Sequence, residues 1–115
     1  MNNIELGKWG ERQAKLYLEN KGYAIIVQNF RCPAGEIDII AKHNNMMICV
    51  EVKTRNSDFF GDPQEFVSPS KIKLLVKAMD AFIIENDITL ETRFDIIAIL
   101  KNKSKEELTH YENAF

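Results

Sequence analysis

Apolar residues recur along the chain with two spacings, one typical of amphipathic helices and one typical of β-strands. Residues 4–20 are mostly good helix formers, and Gly22 follows them as a helix stop. Residues 71–86 carry an apolar stripe at steps of three and four residues, behind Ser68 as N-cap and Pro69 in the first turn. The pattern therefore predicts one helix at the start of the chain and a second one after its midpoint.

Four further stretches are rich in β-branched and other apolar residues, as strands are. They are residues 23–30, 35–41, 47–53 and 92–100. The last of them becomes continuously apolar, which indicates a strand in the interior of a sheet. Arg93 and Asp95 share one of its faces, where we expect an ion pair, and residues 108–115 are expected to form a short edge strand or a tail. This order of elements predicts an α/β domain.

Asn44 and Asn45 separate the second and third predicted strands, and asparagine tolerates the positive φ angles of a tight hairpin turn. With a loop of two or four residues, Asp38 on the first strand of the hairpin lies directly opposite Glu51 on the second. A loop of three residues would shift the register by one and put the two carboxylates on opposite faces. Lys53 shares a face with Glu51 whatever the loop, because side chains alternate along a strand.

The two facing carboxylates, Asp38 and Glu51, require a cation, because like charges directly opposite each other destabilise a strand pair. A divalent metal is one candidate, since Mg²⁺ usually binds one or two carboxylates and completes its shell with water and phosphate oxygens. Lys53 would then position or activate the attacking water, or stabilise charge on a phosphate. The alternative is structural, with the two acids merely ion-paired to Lys53 and Arg55.

The first predicted helix carries one face of small residues. Gly7, Gly10 and Ala14 lie on this face together with Glu11 and Leu18. Glycine inside a helix costs roughly 0.5–1 kcal/mol relative to alanine, so the two glycines indicate a close approach to another element. Glu11 is then either an acid of the same site as the hairpin carboxylates or an exposed residue of an amphipathic helix.

The chain has 115 residues, which we interpret as a single domain over residues 1–115, large enough for a hydrophobic core. Its two cysteines are too few for a zinc site or a disulfide framework. The N-terminus lacks the pattern of a secretion signal, and no apolar run approaches the roughly 18 residues that span a bilayer. We therefore expect a cytoplasmic protein without a membrane partner.

The formal net charge is −2, which argues against a protein that coats nucleic acid through a uniformly basic surface. A local basic patch is compatible with this charge, and the lysines and arginines of the first two thirds of the chain are its candidates. Their alternative role is scattered charge that keeps the protein in solution. The predicted loop at residues 54–67 follows the hairpin directly, and loops of this length are often functional.

The order helix, three strands, helix, strand, with an acid in the first helix and Glu-x-Lys on the third strand, resembles the PD-(D/E)xK nuclease core. Restriction endonucleases and archaeal Holliday junction resolvases belong to this group. At closer range the sequence is similar to the YraN-like family, small bacterial proteins expected to be endonucleases. The similarity covers nearly the whole chain and is carried by Gly10-Glu11, Gly35-Glu36-Ile37-Asp38 and Val50-Glu51-Val52-Lys53-Thr54-Arg55. The chain departs from the superfamily motif at Ile37, which stands where a proline usually precedes the first acid.

The resemblance implies a restriction endonuclease-like fold, which is an αβββαβ core with a central mixed sheet flanked by helices. It also implies a metal-dependent DNA endonuclease that hydrolyses phosphodiester bonds and selects junctions or other branched DNA. In this family pattern Asp38 and Glu51 would bind Mg²⁺ or Mn²⁺, with Glu11 as a further acidic ligand. Lys53 would support catalysis, so that all four residues are candidate catalytic residues.

The resemblance implies a nucleic-acid partner as well. Arg31, Arg55 and Lys71 would hold the phosphate backbone, which gives position without sequence readout. DNA is the expected substrate and RNA the alternative, and the two-fold symmetry of branched DNA favours a homodimer. A rival interpretation is a nucleic-acid-binding or adaptor protein that keeps the fold and the acids with weak or no turnover, since a fold by itself does not establish chemistry.

Overall fold

The structure of the protein is a computed structural model that describes residues 1–56 and 67–115. Residues 57–66 make up most of the predicted 54–67 loop, and that prediction lies outside the described residues. The elements in chain order are α1 (Asn3–Asn20), β1 (Ala24–Cys32), β2 (Gly35–His43), β3 (Met46–Arg55), α2 (Pro69–Glu85), β4 (Glu91–Lys101) and β5 (Glu106–Tyr111). The two predicted helices and the first four strands are confirmed, with ends that differ by two residues or fewer.

The described strands form one mixed sheet in the order β1-β2-β3-β4-β5. Neighbouring strands are antiparallel except β3 and β4, which run parallel. A parallel pair needs a long connection, and α2 lies in it. The end of the chain forms the expected edge strand, over Glu106–Tyr111. The predicted α/β architecture with a central mixed sheet flanked by helices is therefore confirmed.

A helix covers each face of the sheet. α2 packs on one core cluster through its apolar stripe, namely Leu75, Ala78, Met79 and Phe82. α1 packs on the other cluster through Ala14 and Leu18. Because the central strands send alternate residues into both clusters, they are buried on both faces, as continuous apolar runs predict. Within the described residues, no helix is long and apolar enough to cross a membrane.

α1 comes very near β3 at Gly10. A Cβ atom at Gly10 would lie 3.0 Å from Thr54 Cβ and closer still to the Thr54 hydroxyl, so only glycine lets the helix come this near the strand. The predicted close approach is therefore confirmed at this position. Gly7, one turn earlier, is different, because no neighbouring atom of the described chain comes within 4 Å of a Cβ built there.

The β2–β3 hairpin turns at Asn44 and Asn45, whose φ angles are 50° and 61°. Both values lie in the left-handed region that a tight two-residue hairpin turn requires. The strands pair in the register that this turn fixes, with Ile39 opposite Val50. The predicted hairpin and its register are therefore confirmed, and of the loop lengths considered the two-residue loop is the one that forms.

Candidate active site

Asp38 and Glu51 lie where β2 and β3 begin to separate. The last backbone pair of the hairpin joins Ile39 to Val50, and Asp38 and Glu51 occupy the next position on each strand. At this position a side chain replaces the backbone as acceptor, because Asp38 Oδ2 accepts a hydrogen bond of 2.8 Å from the N–H of Val52. The register thus brings the two predicted carboxylates together.

The side-chain alternation of β2 is interrupted at Asp38. Ile37 and Ile40 both pack in the core cluster on the α2 side of the sheet, although residues three apart in a regular strand lie on opposite faces. Asn29 occupies the facing position on β1, and its φ of 53° departs from extended backbone. β1 and β2 are therefore both irregular beside Asp38. The regular alternation of side chains along a strand does not predict this irregularity.

Burial and mutual repulsion set the protonation of the carboxyl pair. Glu51 is only 5% exposed. The pKa of Asp38 is raised to about 9, first by burial, then by its hydrogen bond with Glu51 and by the Glu51 charge. The hydrogen bond from Val52 N–H lowers this pKa but does not offset the other causes. Without a bound cation, the raised pKa of Asp38 keeps this carboxyl group protonated at neutral pH.

The cation nearest to the pair comes from α2. Lys71 Nζ lies 3.2 Å from Glu51 Oε2. The two atoms are close enough for an ion pair but are not aligned for a hydrogen bond, since this buried oxygen has no hydrogen-bond partner in the described part of the chain. Across residues 1–56 and 67–115, no ion pair joins Asp38 or Glu51 to Lys53 or Arg55, the pairing that the structural alternative requires.

Glu11 reaches the same region from α1. With its amide nitrogen turned toward the acids, Asn29 donates to Glu11 Oε1 at 2.9 Å and to Glu36 Oε1 at 3.0 Å. The pKa of Glu11 is raised, first by burial and then by the charges of Glu36 and Glu51. Arg31 Nε lies 3.5 Å from Glu36 Oε2, and its side chain is otherwise mostly exposed. Glu11 is therefore part of the acidic region and is held there by an amide.

A cleft of about 420 Å³ opens between the start of α1 and the end of β3. Gly7 and Glu11 line it from the helix, and Lys53 and Arg55 line it from the strand. Neither of the two basic residues forms a salt bridge with another described residue. Lys53 and Arg55 thus border a cleft that they share with Glu11, and neither has a salt-bridge partner among the described residues.

The donor atoms of the site fit a hard divalent cation. In the described residues, no three His, Cys, Asp or Glu side chains are grouped closely enough to hold a metal together. The pair Asp38 and Glu51 is sufficient for Mg²⁺, which typically uses one or two carboxylates and fills its octahedron with water and phosphate oxygens. Glu51 Oε2 is buried and has no hydrogen-bond partner in the described chain, so a bound cation would supply the missing interaction. A cation would also lower the raised pKa of Asp38.

The structure brings to the site two residues that the sequence analysis did not place beside the acids. Asn29 connects Glu11 to Glu36, and Lys71 contacts Glu51 although it was expected to face solvent or a polyanion. The available signal for Asn29 was the polar pair Gln28-Asn29 within the mostly apolar first predicted strand. No local signal links Lys71 to Glu51, since twenty positions separate them in the chain. The binding role predicted for Lys71, Arg31 and Arg55 stays a prediction.

Comparison with known proteins places the sequence among a set of bacterial relatives. A sequence profile of the uncharacterised protein family UPF0102 matches residues 10–99. A UPF0102 protein of Flavobacterium psychrophilum is 50% identical over 111 residues, which cover 96% of this chain and 93% of the relative. A second UPF0102 protein, from Thermodesulfovibrio yellowstonii, is 46% identical over 115 residues and covers 100% of this chain and 99% of its own.

A solved structure shares the fold. The chain is similar to Hjc of Archaeoglobus fulgidus, a Holliday junction resolvase from an archaeal hyperthermophile, with a TM-score of 0.51 and 22% sequence identity. The match covers 93% of this chain and 72% of the archaeal chain. The restriction endonuclease-like fold predicted from the order of elements is thereby confirmed.

Proposed function

Because the chain belongs to the UPF0102 family and shares the fold of a Holliday junction resolvase, we propose that it is a metal-dependent endonuclease that hydrolyses phosphodiester bonds. The observation that carries this proposal is the carboxyl pair Asp38 and Glu51, in which Glu51 is buried and the raised pKa of Asp38 opposes a second negative charge unless a cation binds. β3 carries Glu51 and continues to Lys53, which lines the cleft. Acids at one end of a basic groove are suited to the cleavage of a polyanion.

Asp38 and Glu51 would hold Mg²⁺ or Mn²⁺, because carboxylate oxygens are the ligands these ions prefer. When bound, such an ion polarises a phosphoryl oxygen and lowers the pKa of bound water. Lys53 orients the attacking water or neutralises charge on the phosphate, from its position in the cleft. Glu11 acts as an accessory acid, which the Asn29 amide holds in orientation.

The substrate that we propose is DNA, with junctions or other branched forms preferred. The basic residues of the cleft support a nucleic-acid substrate, and the similarity in fold to a Holliday junction resolvase supports branched DNA. Arg55 in the cleft and the exposed Arg31 would contact phosphates, which fixes position but reads no sequence. A four-way junction has two-fold symmetry, so a protein that cuts two of its four strands symmetrically would act as a homodimer.

The proposal is tested by cleavage of labelled substrates with Mg²⁺ or Mn²⁺. The panel contains single-stranded, duplex, flap and four-way junction DNA, and RNA of the same shapes. We expect metal-dependent cutting that Lys53→Ala abolishes and Lys42→Ala retains, since Lys42 is exposed near the turn of the hairpin, away from the acids. Purified wild-type protein that cuts none of these substrates with either metal would contradict the proposal.

A second candidate is a nucleic-acid-binding protein without turnover. The contact between Lys71 and Glu51 favours it, because one acid of the pair already has a counter-ion from within the chain. This protein would bind the same branched DNA equally well in EDTA and in Mg²⁺, and it would leave the DNA intact. Binding assays run beside the cleavage panel separate the two functions.

A further inference from the structure

The contact between Lys71 and Glu51 links α2 to the proposed metal site. The Glu51 side chain is 6% exposed, whereas that of Lys71 is 46% exposed, so the lysine reaches inward from the surface to a buried acid. The backbone of Lys71 is fixed, since its N–H donates to Ser68 Oγ at 3.1 Å in the first turn of α2. The ammonium group, at the end of a flexible stem, is the part that is able to move.

The contact is specific to this lysine. Lys73 and Lys77 lie on the same helix, are exposed, and form no ion pair with any residue of the described ranges. Lys53 is only two residues from Glu51 on β3, and it lines the cleft instead. The fold therefore compensates the buried acid with a residue from a distant part of the chain.

A lysine ammonium and a divalent cation are alternatives at the same oxygen. Glu51 Oε2 is buried and faces Lys71 Nζ at 3.2 Å, a distance at which a metal bound to that oxygen would lie beside a positive charge. Two cations so close together repel strongly, and more so in a buried place than in water. A cation on this oxygen would therefore weaken the hold of Lys71 on Glu51, and Lys71 would weaken the binding of the cation.

We propose that Lys71 and a divalent cation compete for Glu51, so that Lys71 closes the metal site in the metal-free protein and is released when the cation binds. The released ammonium remains at the mouth of the site, where it contacts a phosphate of the substrate. Metal binding and substrate binding are thereby coupled through one side chain. This inference rests on the metal site of the proposed function.

The test is calorimetric titration of metal-free protein with Mn²⁺ alone. Lys71→Met keeps the apolar stem and removes the charge, so we expect it to bind Mn²⁺ about tenfold more tightly than wild type, equivalent to about 1.4 kcal/mol. Lys73→Met is the matched control, two residues away on the same helix, and should bind as wild type does. Circular dichroism checks that each variant is folded.

Two outcomes overturn the inference and leave the proposed function standing. In one, Lys71→Met binds Mn²⁺ no more tightly than wild type. In the other, both lysine variants bind more tightly by the same factor, which reflects the loss of any positive charge rather than competition. If wild type binds no Mn²⁺, or if Glu51→Gln does not weaken binding, the metal site of the proposed function is itself wrong and the inference falls with it.

A second measurement uses wild-type protein and does not depend on whether the variant folds. Lysine amines are acylated by a water-soluble reagent, and mass spectrometry reports the rate at each lysine. Saturating Mn²⁺ should raise the rate at Lys71 severalfold and leave the rate at Lys73 unchanged. An unchanged rate at Lys71 in protein that binds Mn²⁺ overturns the inference.

Discussion

At the scale of single residues, the unusual feature is the proton that Asp38 retains. A carboxyl group buried beside a second carboxyl is costly to ionise, and the pKa of Asp38 is raised to about 9 by burial and by Glu51. Such shifts concentrate at functional sites, because the same burial that destabilises a charge also prepares an acid to bind a cation. The pair is therefore a source of instability in the metal-free protein.

The stability of the metal-free protein should fall as the pH rises from about 6 to about 8.5. The unfolded chain releases the Asp38 proton near the ordinary pKa of 3.8, whereas the folded state keeps it until about pH 9. Raising the pH within this window therefore favours the unfolded state, by up to about 1.4 kcal/mol per pH unit. Urea unfolding in EDTA at the two pH values measures the loss.

The control for this prediction is Asp38→Asn, which has no proton to release. The variant should lose much less stability over the same pH range, and it should neither bind Mn²⁺ tightly nor cut DNA. A wild-type protein whose free energy of unfolding changes no more with pH than that of the variant would contradict the raised pKa of Asp38.

At the scale of elements, the two glycines of α1 lie in different surroundings. Gly10 contacts Thr54 so closely that a Cβ has no room, while Gly7 borders the cleft and has room for one. The first glycine is explained by the fold alone. The second costs helix stability with no packing contact in return, which is consistent with a groove kept open for a ligand.

The two glycines should respond oppositely to alanine. Gly10→Ala should destabilise the protein by about 1–3 kcal/mol, because the new methyl group forces α1 away from Thr54. Gly7→Ala should stabilise it by about 0.5–1 kcal/mol through helix propensity, since no neighbour obstructs the methyl group. Urea unfolding compares the two variants.

Gly7→Ala also tests the cleft. Weaker DNA binding by this variant, together with higher stability, would support the cleft as a binding site. Lower stability of Gly7→Ala would refute this account of the helix.

The start of β4 is held by a buried acid that serves structure. Asp95 is fully buried and accepts hydrogen bonds from Arg93 at 2.8 and 2.9 Å, which confirms the ion pair expected from the sequence. Its oxygens also contact His110 Nε2 at 2.7 Å and the Asn113 N–H at 3.0 Å. Burial alone would raise the pKa of Asp95, but these hydrogen bonds outweigh it and lower the pKa below its usual value.

Asp95→Asn should destabilise the protein by about 3–5 kcal/mol at neutral pH, because Arg93 loses its buried partner and keeps only the exposed Glu112 at 3.5 Å. The stabilisation from Asp95 is present above its ordinary pKa and is lost as the pH falls through the lowered value in the folded state. The difference between wild type and variant should therefore shrink in strong acid. Glu91→Gln, at an exposed position on the same strand, is the control and should change stability little.

At the scale of the whole molecule, charge is distributed unevenly. The net charge of −2 gives no general attraction to DNA. Lys53 and Arg55 both line the cleft at the end of β3, so under the proposed function only a few phosphate contacts would hold the DNA. This distribution favours local binding at a site over coating of the duplex.

DNA binding should accordingly show a shallow salt dependence. Each phosphate contact contributes about −0.9 to the slope of log K against log salt, and two to four contacts predict a slope of about −2 to −4. Arg55→Gln should reduce the steepness by about 1, whereas Lys42→Gln should leave it unchanged. Fluorescence anisotropy with a labelled junction at several salt concentrations measures the slopes. Equal slopes for wild type and Arg55→Gln would remove Arg55 from the interface.

The sequence by itself determined what depends on near neighbours in the chain. Periodicity predicted the helices and strands, and the turn at Asn44 and Asn45 fixed the register that brings Asp38 to Glu51. The small face of α1 likewise predicted a close approach to another element, which the structure identifies as β3. These features follow from backbone geometry, which depends only on residues close together in the chain.

Only the tertiary structure decided the contacts that depend on how the helices lie on the sheet. Three features belong here: the break in side-chain alternation at Asp38, the Asn29 amide between Glu11 and Glu36, and the contact of Lys71 with Glu51. They involve residues that are far apart in the chain, and local sequence pattern does not relate such residues to each other. Each requires a particular packing of α1 or α2 against β2 and β3, and side-chain contacts between packed layers leave no periodic trace in the sequence. For that reason the acids of the site were predictable, while the groups that orient and neutralise them were not.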